Sequence, residues 1–266
     1  MLTERIGKRL KKESKKAKTL QFSMHLPSFG INYSYSSTMQ NQHFHSASVG
    51  KLMTSTLVFI AIERGNLSID AHVKQILKPG MLDGLFVVDG HDFQEEITVK
   101  QLLGHLSGVN DYCFYSEGFD QNDLAPLFIN GVDVHRFTSL SCDFSGGGLS
   151  TTANDLLKFL DCLQNLRLIG RHSLSQMADF SHRYREGLYY GVGMMQVRFE
   201  DFFFLLKSLP RLQGHLGVTG VHAWYDPITK DAFVLNVGNT KDMVLSFKLL
   251  IAIVQMVQRE HIQKRN

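Results

Sequence analysis

Segments with strand periodicity lie at the two ends of this 266-residue chain, and segments with helix periodicity lie between them. Near the N-terminus, Leu20–Ser37 alternates apolar and polar residues around Pro27 and Gly30, which predicts a hairpin of two strands. The last third holds three more strand-like segments, YYGVGMMQV, GVHAWYDP and DAFVLNVGN. This order predicts an α+β fold: an antiparallel sheet built from both chain ends, flanked by helices and carrying a reduced helical insert.

The middle of the chain contains several predicted helices. Apolar residues recur at helix spacing from Ser48, and the run stops at Gly65. Ser68–Val73 predicts the beginning of a second, short helix. The pattern of Ile97–Gly108 predicts a third, with Thr98 as its cap.

A fourth helix is marked by its first residues. In the segment GGGLSTTANDLLKFLDCLQN, Thr151 or Thr152 can cap the helix, and Asp155 suits its first turn. The apolar run Val244–Val257 is too short to span a membrane and contains Lys248, so it predicts a final helix packed on the sheet.

These patterns predict one domain over residues 1–266, with a reduced, mostly helical insert at 66–164 and a basic N-terminal helix at 1–18. Arg5–Lys18 carries eight Lys or Arg residues against one Glu, whereas the net charge of the whole chain is only +3. Such a run suits a weak contact with a membrane surface, or simply a solvated amphipathic helix. We predict no nucleic-acid partner.

The chain shows no secretory signal, because its basic start is not followed by an apolar stretch and a small-residue cleavage site. Its three cysteines, Cys113, Cys142 and Cys162, lack metal spacing and are odd in number. Free thiols in a reducing compartment follow from this, and we expect a cytoplasmic protein.

Ser48 and Lys51 stand three residues apart at the start of the first apolar helix, so their side chains can share one face. A helix N-terminus favours developing negative charge, which would help a serine nucleophile, and lysine amines serve as proton acceptors in such sites. Ser-x-x-Lys is also frequent by chance. On this tetrapeptide alone, a helix cap followed by a surface lysine is the favoured interpretation of the pair.

The neighbouring segments change that reading because they follow one order. FHSASVGKLMT is followed by IERGNLSIDAHV, ITVKQLLGHLSGVNDY, GGGLSTTANDLLKFL, YYGVGMM and GHLGVTGVHAWYDP. Between about Ser34 and Asn239 the chain resembles the serine β-lactamase-like family, which includes class C β-lactamases, penicillin-binding D,D-peptidases and related esterases. Such enzymes carry an SxxK element with partner motifs.

The resemblance implies roles for the first and last of these segments. Ser48 would attack a carbonyl group and become acylated, and Lys51 would help to remove its proton. His215-Leu216-Gly217 looks like the family's KTG triad in its HxG variant, on a strand that faces the serine. The backbone N–H groups of Val218 and Ser48 would then form the oxyanion hole.

His215 in place of a lysine bears on the substrate. An unperturbed histidine is mostly neutral near pH 7, so it would hold a substrate carboxylate less firmly. Leu216 also lacks the hydroxyl group of the KTG threonine. Both changes favour neutral esters or amides, with no cofactor. A structural histidine beside a turn is the alternative for His215.

The chain departs from the family pattern at the tyrosine motif of the helical insert. Relatives carry a Tyr-x-Asn motif on the helical insert, and its phenol relays a proton to the leaving group. Between Ser107 and Gly146 only Tyr112 and Tyr115 are available, and the insert is shorter than in relatives. We take Tyr115 as the candidate; loss of the tyrosine with the missing insert is the alternative.

The predicted function is therefore a serine hydrolase that forms an acyl-enzyme on a small ester or amide. The alternative is a catalytically impaired homologue that keeps the fold for ligand or partner binding.

Other motifs predict no chemistry of their own. His43 and His45 lie on the same side of a strand, but no third ligand has suitable spacing for a metal. Gly146–Gly148 lacks the lysine of a phosphate-binding loop, and within the family it is a tight turn. His105 and Ser107 are expected in a buried turn.

Overall fold

The structure is a computed structural model that describes residues 1–109, 125–134 and 148–265. Its helices are α1 Leu2–Glu13, α2 Gly50–Glu63, α3 Val99–Leu103, α4 Ala153–Gln164, α5 Arg171–Met177, α6 Phe199–Phe202 and α7 Met243–Arg265. Its first strands are β1 Gln21–Leu26, β2 Ile31–Ser36, β3 Phe44–His45, β4 Val87–Val88, β5 His91–Asp92, β6 Phe128–Ile129 and β7 Val132–Asp133. The remaining strands are β8 Ser150–Thr151, β9 His182–Arg185, β10 Leu188–Tyr190, β11 Met195–Val197, β12 Leu212–Gly217, β13 Val221–Tyr225 and β14 Ala232–Asn236.

The main sheet has eight antiparallel strands in the order β2-β1-β14-β13-β12-β11-β10-β9. The two N-terminal strands therefore join the sheet beside the last strand of the chain, where Gln21 pairs with Asn236. The predicted α+β fold with a sheet made from both chain ends is confirmed. The division into a domain with an insert at 66–164 stays a prediction.

Alternate side chains of the central strands face two helical layers. In β14, Phe233 and Leu235 pack with α1 and α7, whereas Ala232 and Val234 pack with α2 and α4. Because both faces of the sheet are covered, β13 and β14 are buried along their whole length and are mostly apolar. The layer that contains α2 and α4 is the one next to the candidate site, because α2 begins there.

The apolar stripe of α1 is used inside the fold. Leu2, Ile6 and Leu10 are buried against the same core as α7, and Arg5 on α1 pairs with Glu260 on α7 at 2.9 Å. Any contact of the basic N-terminus with a membrane surface, which stays a prediction, would therefore depend on the exposed lysines. None of the helices in the described ranges is both long and apolar enough to cross a membrane.

Local predictions based on caps and turns are confirmed. Thr98 caps α3 in a capping box with Gln101, and Thr152 caps α4 by accepting from the Asp155 amide. The turn between β13 and β14 is held by Asp226, whose carboxylate accepts from the Ile228 amide and the Thr229 hydroxyl group.

Two local predictions were wrong. The short helix predicted to begin at Ser68–Val73 is reduced to a 3₁₀ turn at Val73–Gln75. The segment YYGVGMMQV forms two strands, β10 and β11, because the chain reverses where the Gly191 amide donates to the Met194 carbonyl group. Gly193 in this reversal has a φ of +80°, which glycine adopts without strain.

Candidate active site

Ser48 lies in a 3₁₀ turn, Ala47–Val49, which leads directly into α2. Strand β3 brings the chain to this turn and pairs with β8, and the Ser46 amide donates to the Leu149 carbonyl group at 2.8 Å. Val49 is fully buried and anchors the other side of the turn. Ser48 itself is half-buried, at the entrance of the helix.

Ala47, the residue before Ser48, has a φ of +47°. An L-residue with a side chain pays for this left-handed conformation, which therefore persists only where the surroundings impose it. Strained residues of this kind cluster at functional sites. The strain at Ala47 marks the Ser48 turn as a position that the fold holds in a fixed geometry.

Lys51, one turn further along, points back at the serine. Its Nζ atom lies 3.1 Å from Ser48 Oγ, within hydrogen-bond distance, and both side chains are partly buried. The i,i+3 spacing thus brings the two groups together, with the Ser48 hydroxyl group at the N-terminal end of α2. This arrangement can pass a proton from a serine hydroxyl group to an amine.

Strand β12 closes one side of the Ser48 turn through Gly217. A Cβ atom on Gly217 would lie 2.8 Å from Ala47 Cβ and 3.2 Å from the Ser46 carbonyl oxygen, so the close approach needs glycine. Val218 follows directly after the strand, with 60% of its surface exposed. The end of β12 therefore lies against the residues that precede Ser48.

His215 lies on β12 two residues before Gly217, with only 2% of its surface exposed. Its Nδ1 atom is 2.9 Å from the Leu216 carbonyl oxygen, and its Nε2 atom is 2.7 Å from the Tyr190 hydroxyl group. The pKa of His215 is lowered to about 3, mainly because the ring is buried. The hydrogen bond to the Leu216 carbonyl oxygen raises this pKa, whereas the nearby Lys51 and His105 lower it. The imidazole is thus neutral, and both of its nitrogens are bonded within the protein.

Tyr190 is the site residue that the sequence analysis missed. The residue was visible in the segment YYGVGMM, but nothing in that segment shows that its hydroxyl group meets a histidine 25 positions further along. His105 packs edge-on against the Tyr190 ring, at 4.7 Å between centroids. Burial raises the pKa of the Tyr190 phenol well above its usual range.

The remaining predicted residues lie elsewhere. Tyr115 and Tyr112 lie outside the described residues, as do Cys113 and Cys142. His105 does lie in a turn, but it is exposed, because α3 ends at Leu103 and the chain turns outward with a φ of +56° at His105. Ser107 in the same turn is half-buried.

His43 and His45 differ in their exposure to solvent. His45 is buried, whereas His43 is exposed, with its Nδ1 atom 3.2 Å from Ser150 Oγ. In the part of the chain that the structure describes, no three His, Cys, Asp or Glu side chains form a group that could hold a metal ion.

Comparison with known proteins finds one family model and several solved structures. The family model described as Beta-lactamase matches residues 34–129. No curated protein matches the sequence. Among solved structures, D-amino acid amidase from Ochrobactrum anthropi SV3, complexed with L-phenylalanine amide, has a TM-score of 0.71 at 15% identity, over 98% of this chain and 99% of that one.

Two further structures share the fold. A D-stereospecific amidohydrolase from Streptomyces sp. has a TM-score of 0.67 at 14% identity, over 91% of this chain and 97% of that one. A β-lactamase/D-alanine carboxypeptidase from Pseudomonas syringae has a TM-score of 0.64 at 12% identity, over 97% of this chain and 98% of that one. The Beta-lactamase family model thus covers part of the chain, and the chain shares its fold with proteins of the serine β-lactamase/transpeptidase type.

Proposed function

We propose that this protein is a serine hydrolase that cleaves a small, neutral ester or amide through an acyl-enzyme. Ser48 is the nucleophile and Lys51 is the base. The observation that carries the proposal is the 3.1 Å distance between Lys51 Nζ and Ser48 Oγ, in a strained turn at the start of α2. We further propose a cytoplasmic location, which rests on the three cysteines without metal spacing.

The proposed reaction has two halves. The Ser48 hydroxyl proton passes to the Lys51 amine as Oγ attacks the substrate carbonyl carbon. The carbonyl oxygen becomes an oxyanion, stabilised by the backbone N–H groups of Ser48 and Val218. Collapse of this intermediate breaks the bond to the alcohol or amine, which leaves with the proton held by Lys51, relayed by Tyr115. Water then attacks the acyl-enzyme ester, releases the acid and restores the Ser48 hydroxyl group.

The proposed substrate class follows from the HxG segment. His215 is buried and neutral, so it offers no positive charge to a substrate carboxylate, and Leu216 offers no hydroxyl group. These two residues support an ester or amide that carries no carboxylate next to the HxG segment.

Labelling with a fluorophosphonate probe tests the proposal, because such probes react with activated serines. We expect an adduct on Ser48 in the wild-type protein, found by peptide mass spectrometry, and none in Ser48→Ala. Lys51→Ala should slow labelling and ester hydrolysis by about 10²–10⁴, the usual contribution of general-base catalysis. Lys158→Ala is the matched control, because Lys158 is an exposed lysine on α4 that pairs with Asp155.

Two results would contradict the proposal. Equal labelling of the wild-type protein and Ser48→Ala would show that another residue reacts with the probe. A well-folded wild-type protein that neither takes up the probe nor hydrolyses p-nitrophenyl esters would favour the alternative, a catalytically impaired homologue that binds ligands or partners.

A further inference from the structure

The buried contact between Tyr190 and His215 joins two strands that are not neighbours in the sheet. Tyr190 ends β10, His215 lies near the end of β12, and β11 runs between these strands. Tyr190 is only 3% exposed and His215 only 2%, so water cannot easily replace either partner. The O–N distance of 2.7 Å is that of a strong hydrogen bond.

The direction of this hydrogen bond follows from the second contact of the imidazole. A carbonyl oxygen can only accept, so His215 Nδ1 carries the hydrogen that it donates to Leu216 at 2.9 Å. In the neutral ring Nε2 then has a free lone pair, and the Tyr190 hydroxyl group donates to it. Tyr190 therefore selects one tautomer and one orientation of the ring.

Several titratable groups face this pair. Lys51 reaches it from α2, His105 from the turn after α3, and His182 and Tyr184 from β9. Lys51 and His105 both oppose a positive charge on His215, which adds to the effect of its burial. The pair is thus stable as a neutral unit across the pH range in which a hydrolase of this kind would work.

We propose that Tyr190 is a positioning residue of the acyl-transfer site: its hydroxyl group fixes the neutral His215 ring and thereby holds the Gly217–Val218 end of β12 against the Ser48 turn. The inference rests on the proposed function and adds to it a residue of the YYGVGMM segment, to which the resemblance assigned no role. Without the hydroxyl group, Nε2 would be a buried acceptor without its donor, and the ring and its strand would shift to recover a partner. Displacements of about 1 Å at such sites cost up to about 10² in rate.

Tyr190→Phe tests this role, with Tyr189→Phe as the matched control. Tyr189 is the preceding residue on the same strand, but its hydroxyl group donates to Asp201 at 2.9 Å, away from His215. We expect Tyr190→Phe to lower kcat about tenfold, close to the value of one hydrogen bond, with KM changed less than about twofold. Tyr189→Phe should leave both constants unchanged.

Nitrogen-15 NMR of the histidine side chains provides a readout that a merely structural role would not move. The wild-type protein should show His215 as the Nδ1–H tautomer, with Nε2 hydrogen-bonded. In Tyr190→Phe the Nε2 signal should shift towards that of a ring nitrogen without a donor, and His215 should become easier to protonate. An unchanged kcat together with unchanged His215 signals would overturn the inference.

Failure of the proposed function is distinguishable from failure of this inference. A wild-type protein that does not react with the fluorophosphonate probe contradicts the hydrolase, and the tautomer measurement still decides whether Tyr190 fixes His215.

If Tyr190→Phe does not fold, 3,5-difluorotyrosine at position 190 keeps the ring and its hydroxyl group but makes the group a stronger donor. It should then move the His215 Nε2 signal in the opposite direction, and an unmoved signal would contradict the inference.

Discussion

Strands β12 and β13 lie side by side, and each buries one neutral histidine. His215 on β12 bonds to Tyr190 and to the Leu216 carbonyl oxygen. His222 on β13 accepts from Trp224 Nε1 at 2.9 Å and therefore donates from Nε2 to Ser246 Oγ at 2.7 Å. Burial lowers the pKa of each imidazole to about 3.

The two histidines differ in what lies beyond their hydrogen bonds. His215 is followed by Gly217, which lies against the Ser48 turn, and Lys51 is close enough to influence its charge. His222 forms hydrogen bonds with Trp224 and Ser246 and packs edge-on against the Phe247 ring of α7. The Ser246 hydroxyl group in turn donates to the Met243 carbonyl group at the start of α7. A shifted pKa therefore does not by itself identify a catalytic histidine, because burial causes the same shift in a structural one.

Among substitutions in these two strands, Gly217→Ala should have the largest effect, and it tests the closeness of β12 to the nucleophile. The added methyl group would lie 2.8 Å from Ala47 Cβ and force the strand end away from the Ser48 turn. If Val218 lends its amide to the oxyanion hole, kcat should fall by about 10²–10³, as when one such donor is lost. Steady-state kinetics on a p-nitrophenyl ester measures this.

Gly65→Ala is the control for Gly217→Ala. Gly65 follows α2 with a φ of +71°, and a Cβ atom there would meet nothing within 4 Å. It should cost about 1 kcal/mol of stability through backbone strain and leave kcat unchanged. Full activity in Gly217→Ala would remove β12 from the proposed site.

The second prediction separates the two histidines by stability and activity. Removing His222 leaves a cavity and deprives Trp224 Nε1 of its acceptor, so His222→Ala should lower the free energy of unfolding by about 3 kcal/mol. His215→Ala should cost a similar amount. Urea unfolding measures the loss, and labelling of the folded fraction measures the activity.

Only His215→Ala should also reduce the rate of fluorophosphonate labelling per folded molecule. Equal labelling by the two variants would mean that both histidines are structural. A large loss of labelling in folded His222→Ala would instead mean that the site depends on the packing of α7.

The features that could be predicted from sequence are those that depend on neighbours along the chain. Thr98 and Thr152 cap helices through residues three positions away, and Ser48 and Lys51 meet because they are one helical turn apart. The strands at the two chain ends were also predictable, because alternation and turn residues are local signals.

The rest of the site depends on contacts across the sheet. Tyr190 meets His215 only because β10, β11 and β12 pair in one register, and a hydrogen bond between their ends leaves no mark in the sequence. The position of Gly217 beside Ala47 came from the resemblance rather than from its own segment. Likewise, the sequence analysis missed the reversal at Gly191–Met194. The residues on both sides of the glycines suit a strand, so YYGVGMMQV was interpreted as one continuous strand.

The smallest of the expected effects concerns acid. Each buried histidine has an ordinary pKa of 6.5 when unfolded and about 3 in the native state, so between these values the unfolded chain binds more protons. Stability should therefore be constant above about pH 7 and fall as the pH decreases below 6.5, by about 2 kcal/mol per histidine at pH 5. Chemical unfolding at pH 8 and pH 5 measures the difference.

His215→Ala and His222→Ala should each reduce this difference in the free energy of unfolding by about 2 kcal/mol, whereas Tyr189→Phe should leave it unchanged. A reduction well below about 2 kcal/mol for one variant would show that the histidine it removes is already protonated in the folded protein at pH 5.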